Sequence, residues 1–186
     1  MALSRCARLG LVGRFLRMKP PLVRLILLLV CLLSFSAYVM TSSADLPSRV
    51  ATHFDIHGNP DGWMSRDGHV RFMLSFGWLF PLIILGIFFA IRFLPPRLVN
   101  MPNRDYWLSP ERRGPTCDWL FGHGAWLSIL GVAFCAGLHA LVLLASRSPR
   151  GQLSNSMLLA LACAFIAGLI AWIFGMFRRF RLPSEG

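Results

Sequence analysis

Four long apolar stretches joined by short polar connections leave this 186-residue chain almost no material for a water-soluble core. A helix rises about 1.5 Å per residue, so roughly twenty residues cross about 30 Å of hydrocarbon. Residues 72–91 and 157–177 meet that length without a charged side chain. Residues 22–40 meet it if Arg24 extends its guanidinium to the headgroups, and residues 119–145 are uncharged over a length that allows tilt or a hydrated first turn. Helices and closed barrels alone satisfy their own backbone groups in lipid, and these runs have helical length. The expectation is an all-α membrane protein, a four-transmembrane-helix bundle whose connections are too short to build a domain of ordinary size.

Orientation follows from the nineteen basic residues. Residues 1–21 and the start of the first span hold Arg5, Arg8, Arg14, Arg17, Lys19 and Arg24; residues 92–118 hold Arg92, Arg97, Arg104, Arg112 and Arg113; residues 178–186 hold Arg178, Arg179 and Arg181. The remaining connections, 41–71 and 146–156, hold Arg49, Arg66, Arg71, Arg147 and Arg150. Fourteen against five places both termini in the cytoplasm by the positive-inside rule. The formal charge of +11 is thus chiefly a topology signal. It is not a nucleic-acid signature, because the arginines flank apolar spans without interleaved stacking aromatics. A second reading of the N-terminus stays open: a basic leader, an apolar run from Leu25 to Met40 and small residues at Ser42 and Ala44 also fit a cleaved secretory signal, which would leave three spans.

The cysteines add little. Cys31, Cys135 and Cys163 lie within spans, and Cys6 and Cys117 fall on the cytoplasmic side of this topology, so no extracytoplasmic disulfide framework is available.

Residues 41–71 carry the densest polar chemistry. Val50, Thr52, Phe54 and Ile56 alternate with Ala51, His53 and Asp55 as a half-exposed strand would. Asn59-Pro60-Asp61-Gly62 predicts a type I turn with proline at its second position, and Gly58 and Asp67-Gly68 add further reversals. Trp63 suits a membrane surface. The expected result is a short extracytoplasmic turn or hairpin cap over the bundle mouth.

His53, Asp55, His57 and His69 in this cap are weak metal candidates, since imidazole and carboxylate bind zinc. On a strand His53 and His57 stand roughly 13 Å apart, near the limit for sharing an ion. A helix from Pro47 to Gly58 would instead place them on one face. Solvated, turn-forming residues are the plainer account, and no cofactor is expected.

The segment LPSRVATHFDIHGNPDGWMSR resembles the stretch that defines a widespread bacterial membrane family, the domain of unknown function 1648. The matching positions are Pro47, His53, Phe54, Gly58, Pro60, Asp61, Gly62 and Trp63. The phrase MPNRDYWLSPERR resembles a second stretch that often accompanies it, through Asn103, Arg104, Tyr106, Trp107, Glu111 and Arg112. The likeness covers residues 22 to about 113; His57 and His69 match nothing in it, which weakens a family-wide metal site. The resemblance implies a polytopic protein of the bacterial inner membrane. SdpI-like immunity proteins are among its relatives, so an immunity, signalling or binding role without enzymatic activity is implied. The partners would be an extracytoplasmic peptide or a cytoplasmic regulator, the latter docking on the 92–118 connection, for which an interfacial belt of positive-inside charges is the plainer account.

Within the bilayer His139 is the one ionisable side chain expected deep in a span, while His123 is expected in a hydrated first turn. A neutral imidazole bonded to a neighbouring helix accounts for His139, and the lack of buried acids argues against a proton-coupled carrier. In the last span Ala160, Ala164 and Gly168, with Cys163, Ala167, Ala171 and Gly175 beside them, form a small-residue face for the third span, at Ala133 and Gly137, or for a second copy of the chain. A metal-dependent activity at the cap and a transporter accessory subunit are the alternative functions.

Overall fold

The computed structural model of the protein describes residues 20–182; Cys6 and the basic residues from Arg5 to Lys19 lie outside the described residues. Helix α1 (Pro20–Ser42) ends in a 3-10 turn, Ser43–Asp45, followed by strands β1 (Arg49–Phe54) and β2 (Pro60–Ser65). Helix α2 (Arg66–Ala90) leads through two 3-10 turns to the one-turn helix α3 (Arg104–Trp107), then α4 (Pro110–Arg147) and α5 (Asn155–Arg179). Among the described residues α1, α2, α4 and α5 are long and apolar enough to cross a membrane.

Local chemistry sets the helix ends. Ser65 caps α2 by accepting the Gly68 amide at 3.0 Å, with Asp67 in the first turn where the helix dipole favours an acid. Ser154 caps α5 in the same way, and Arg178 and Arg179 occupy its last turn. Pro110 opens α4, a position where a missing amide hydrogen costs nothing. The helix that carries the third apolar span therefore begins at Pro110, ahead of the span's expected start at Trp119, so much of the expected 92–118 connection is helical. His123 correspondingly lies well inside α4 and is buried, not in a hydrated first turn.

Helix α4 is the hub, packing against α1, α2 and α5. On α1, Leu28, Leu32, Phe35 and Val39 recur at spacings of four, three and four, forming one stripe that meets Met73 of α2 and Val132 and Cys135 of α4. Water does not drive this association in lipid, so fit does. The Phe35 ring lies against Gly77, and Phe80 and Phe88 of α2 reach Gly131 and Gly124 of α4, sites where a methyl group would collide. Helix α5 buries no side chain fully and lies against the outside of α4. Of its small residues Gly168 and Gly175 turn toward α4, whereas Ala160, Cys163, Ala164, Ala167 and Ala171 are exposed, and Gly137 of α4 receives Leu161. The small-residue face is thus split between the α4 contact and the open side of the helix.

Strands β1 and β2 form one antiparallel hairpin across the ends of α1 and α2, with Val50 buried against Leu46 and Leu143. The reversal falls at Asp55–Gly58, not at Asn59–Gly62. The Gly58 amide bonds the Asp55 carbonyl at 2.9 Å, the Asp55 amide bonds the Asn59 carbonyl at 2.9 Å, and Gly58 takes φ +80°. This is a type I turn closed by a glycine bulge, and Pro60 becomes the first residue of β2, where an edge strand tolerates it. No helix spans Pro47 to Gly58.

Candidate ligand-binding site

The hairpin is tied to the rest of the molecule through its tip. Asp55 Oδ1 accepts the amides of His57 and Asn59, each at 2.8 Å, and Oδ2 accepts Asn59 Nδ2 at 3.1 Å. The Asn59 side chain leads the bonds that hold the Asp55 carboxyl below its ordinary value of 3.8. The Gly58 carbonyl accepts the Leu153 amide at 2.9 Å, and a Cβ on Gly58 would collide with the Leu153 carbonyl oxygen. Gln152 Nε2 reaches Asn59 Oδ1 at 2.6 Å, and Asn155 Nδ2 reaches the Ile56 carbonyl at 2.9 Å. The α4–α5 connection therefore clamps the hairpin from the far side.

On the hairpin's outer face His53 Nδ1 stands 2.5 Å from Asp61 Oδ1. Gly62 pairs directly with His53, and any Cβ there would press on the histidine at 2.8 Å. Arg49 lies over the ring of Trp63, 5.0 Å from its centre. His53, Asp61, Gly62 and Trp63 thus form a surface strip, with Gly58 and Pro60 shaping the tip. The four weak metal candidates do not converge: His53 pairs with Asp61, Asp55 caps the turn, His57 is exposed at the tip and His69 is buried in α2.

Under the hairpin lies a cavity of about 270 Å³. Phe54 and Met64 line it from the strands, Phe72 and Met73 from α2, Leu138 and Leu141 from α4, and Leu158 from α5. Its polar side chains are Thr52 and His69. His69 is 2 % exposed, and its Nε2 lies 3.0 Å from Nδ1 of His139, which is 0 % exposed. Nε2 of His139 lies 2.9 Å from Ser42 Oγ, and the Tyr38 ring meets the His139 ring edge-on at 5.2 Å. A hydrogen-bonded chain thus runs from the cavity wall across α2 and α4 to α1. The sequence alone assigns His69 to the cap and gives His139 a bond to a neighbouring helix without naming the partner, which the structure supplies in Ser42 and His69. The inward spacing of His69, Met73, Gly77 and Pro81 along α2, four residues apart, is the signal that puts this histidine on a buried face.

At the opposite end the second phrase forms a clasp. Asn103 Nδ2 and Trp107 Nε1 both donate to the Phe180 carbonyl, at 2.8 and 3.1 Å, and Phe180 is fully buried. Asn103 takes a left-handed φ of 50°. Arg113 donates to the carbonyls of Arg92 and Leu94, tying the end of α2 to α4. Tyr106 lies under the Arg112 guanidinium at 4.1 Å, Arg104 pairs with Asp105 at 3.0 Å, and Glu111 is exposed in the first turn of α4. Next to the clasp, His123 is stacked between Trp119 and Trp172 at 4.4 and 4.6 Å, and exchanges bonds with Trp172 through Nε2 and the indole Nε1.

Residues 25–85 match the family model described as "Domain of unknown function (DUF1648)". No curated protein and no solved structure matches the chain. The matched stretch takes in α1, the hairpin, His69 and most of α2; His139 and the clasp lie beyond it.

Proposed function

We propose, from the premise that this chain belongs to the DUF1648 family, that it is a non-enzymatic binding protein of the bacterial inner membrane. In this reading the hairpin faces away from the cytoplasm and the cavity beneath it takes up the apolar part of a ligand, as an immunity or signalling protein must do to meet a secreted hydrophobic peptide. The observation that carries the reading is the cavity itself: about 270 Å³, walled almost wholly by apolar side chains and holding one buried imidazole. Sites for small molecules have this composition, many apolar walls with a few placed polar groups. Its size suits one or two bulky side chains better than a whole drug-sized molecule, for which roughly 300 Å³ is the lower bound.

The clasp supports signalling only in its outward half. Asn103 and Trp107 are spent on the Phe180 carbonyl, so a cytoplasmic regulator would meet Arg104, Tyr106, Glu111 and Arg112.

The test is tolerance. A susceptible bacterium producing this protein is challenged with a panel of hydrophobic antimicrobial peptides, alongside a Leu158→Trp variant that fills the cavity from its α5 wall. The expectation is a rise of several-fold in the inhibitory concentration of at least one peptide, abolished by Leu158→Trp at unchanged protein level. Protection that survives the filled cavity, or no protection against any peptide, removes the reading.

A further inference from the structure

We infer that the cavity selects a flat aromatic ring bearing one hydrogen-bond donor, an indole, and presents His69 Nδ1 to it as the acceptor. This deepens the binding reading above and rests on it. The argument begins with a proton count. Ser42 Oγ lies 2.6 Å from the Tyr38 carbonyl oxygen, which can only accept, so the single hydroxyl proton is committed there. Ser42 must therefore accept from His139 Nε2, 2.9 Å away, and the proton of a neutral His139 sits on Nε2. Nδ1 of His139 is then a lone pair, and the contact at 3.0 Å requires His69 Nε2 to be the donor. A neutral His69 with its proton on Nε2 is left with a bare Nδ1. That atom makes no hydrogen bond among the described residues, and His69 lines the cavity.

The chain of bonds thus ends in an acceptor whose sense is fixed three groups away. A ligand that leaves it unpaired forfeits a buried hydrogen bond, and one that brings a second lone pair meets repulsion. Thr52, the other polar side chain in the wall, carries a hydroxyl that rotates to donate or accept and imposes no sign. The remaining wall chooses the shape. Phe54 and Phe72 contribute aromatic rings to the wall, and Met64 and Met73 contribute polarisable sulfur, which packs favourably against ring edges. An apolar cavity of roughly 150 Å³ suffices for benzene, so about 270 Å³ accommodates a fused bicycle. Indole joins those requirements: a flat apolar bicycle with one N–H and no competing acceptor. It can arrive as the free heterocycle or as a tryptophan side chain of a peptide.

Isothermal titration of the full chain in lipid nanodiscs with indole, indene and benzofuran tests this, with empty nanodiscs subtracting partition into lipid. Indole is expected to bind at least about tenfold more tightly than indene, which lacks the donor, and benzofuran no better than indene. His69→Phe, which keeps a ring and removes the acceptor, is expected to erase the preference. Should that variant fail to fold, Ser42→Ala reads the same chain without touching the cavity: His139 is freed to move its proton to Nδ1, His69 can then present a donor, and the preference for indole over benzofuran is expected to fall. N-acetyltryptophanamide separates the sources, since its binding alongside indole points to a peptide and its exclusion to the free heterocycle. Equal affinity for the three rings, or a preference unchanged in both variants, overturns the inference while leaving a cavity that Leu158→Trp still closes. Binding of none of the rings overturns it too, and the peptide-tolerance result then decides the parent reading alone.

Discussion

His139 is the residue on which the middle of the molecule turns. It is fully buried at the meeting of three helices, and both ring nitrogens are occupied, one by Ser42 from α1 and one by His69 from α2. A buried polar group costs little while paired and roughly 1–3 kcal/mol when its partner is removed. Replacing His139 with leucine, close in volume, leaves two groups unpaired, the Nε2 hydrogen of His69 and the Ser42 hydroxyl's accepting lone pair. The expected outcome is a loss of about 1–3 kcal/mol, read as a lower midpoint in a detergent thermal-stability assay. The double change His69→Leu with His139→Leu is expected to recover part of that loss, because the orphaned donor goes with its partner. A single variant as stable as the original would show that the chain of bonds carries no weight.

At the scale of elements, the hairpin and the clasp are where the two polar phrases of the sequence become backbone geometry. The alternation from Val50 to Ile56 locates β1, but the local pattern puts the turn at Asn59–Gly62, with Gly58 only a further reversal, whereas the chain reverses at Asp55–Gly58. Both offer an acid or amide first and a glycine last. What decides between them is long-range: Gly58 alone can hold φ +80° while its carbonyl takes the Leu153 amide and its missing Cβ leaves room for the Leu153 oxygen, a contact ninety-five residues along the chain that no local pattern reveals. The helices were legible because the bilayer imposes their length. Their cross-connections were not, since His69–His139 and Asn103–Phe180 pair residues that no periodicity links. Gly58→Ala is expected to strain the turn and force the hairpin off the α4–α5 connection. Amide exchange at Leu153 and Asn59 should then quicken at least tenfold, while amides in the middle of α4 keep their protection. Uniform exchange across both regions would mean that the tip is not held by this contact.

For the whole molecule, charge and packing bear on the same question, which end faces the cytoplasm and whether α1 stays. The clasp end carries Arg24, Arg92, Arg97, Arg104, Arg112, Arg113, Arg178, Arg179 and Arg181, nine of the fourteen arginines among the described residues, and the hairpin end carries the other five. Short basic connections resist translocation, so the clasp end is the one expected in the cytoplasm. Cleavage after Ala44, the alternative that treats α1 as a signal, would strip Leu28, Leu32, Phe35 and Val39 from the core and take Ser42 from His139. A signal sequence has no reason to contribute a buried stripe and a polar partner to the protein it leaves. The protein recovered from membranes is therefore expected to retain α1, by intact mass. Alkaline phosphatase fused after Trp63 or Gly151 should be active, and a fusion after Leu182 inactive. A mass lacking α1 would show it to be a cleaved signal, whereas an active fusion after Leu182 would reverse the topology and put the cavity on the side where no secreted ligand arrives.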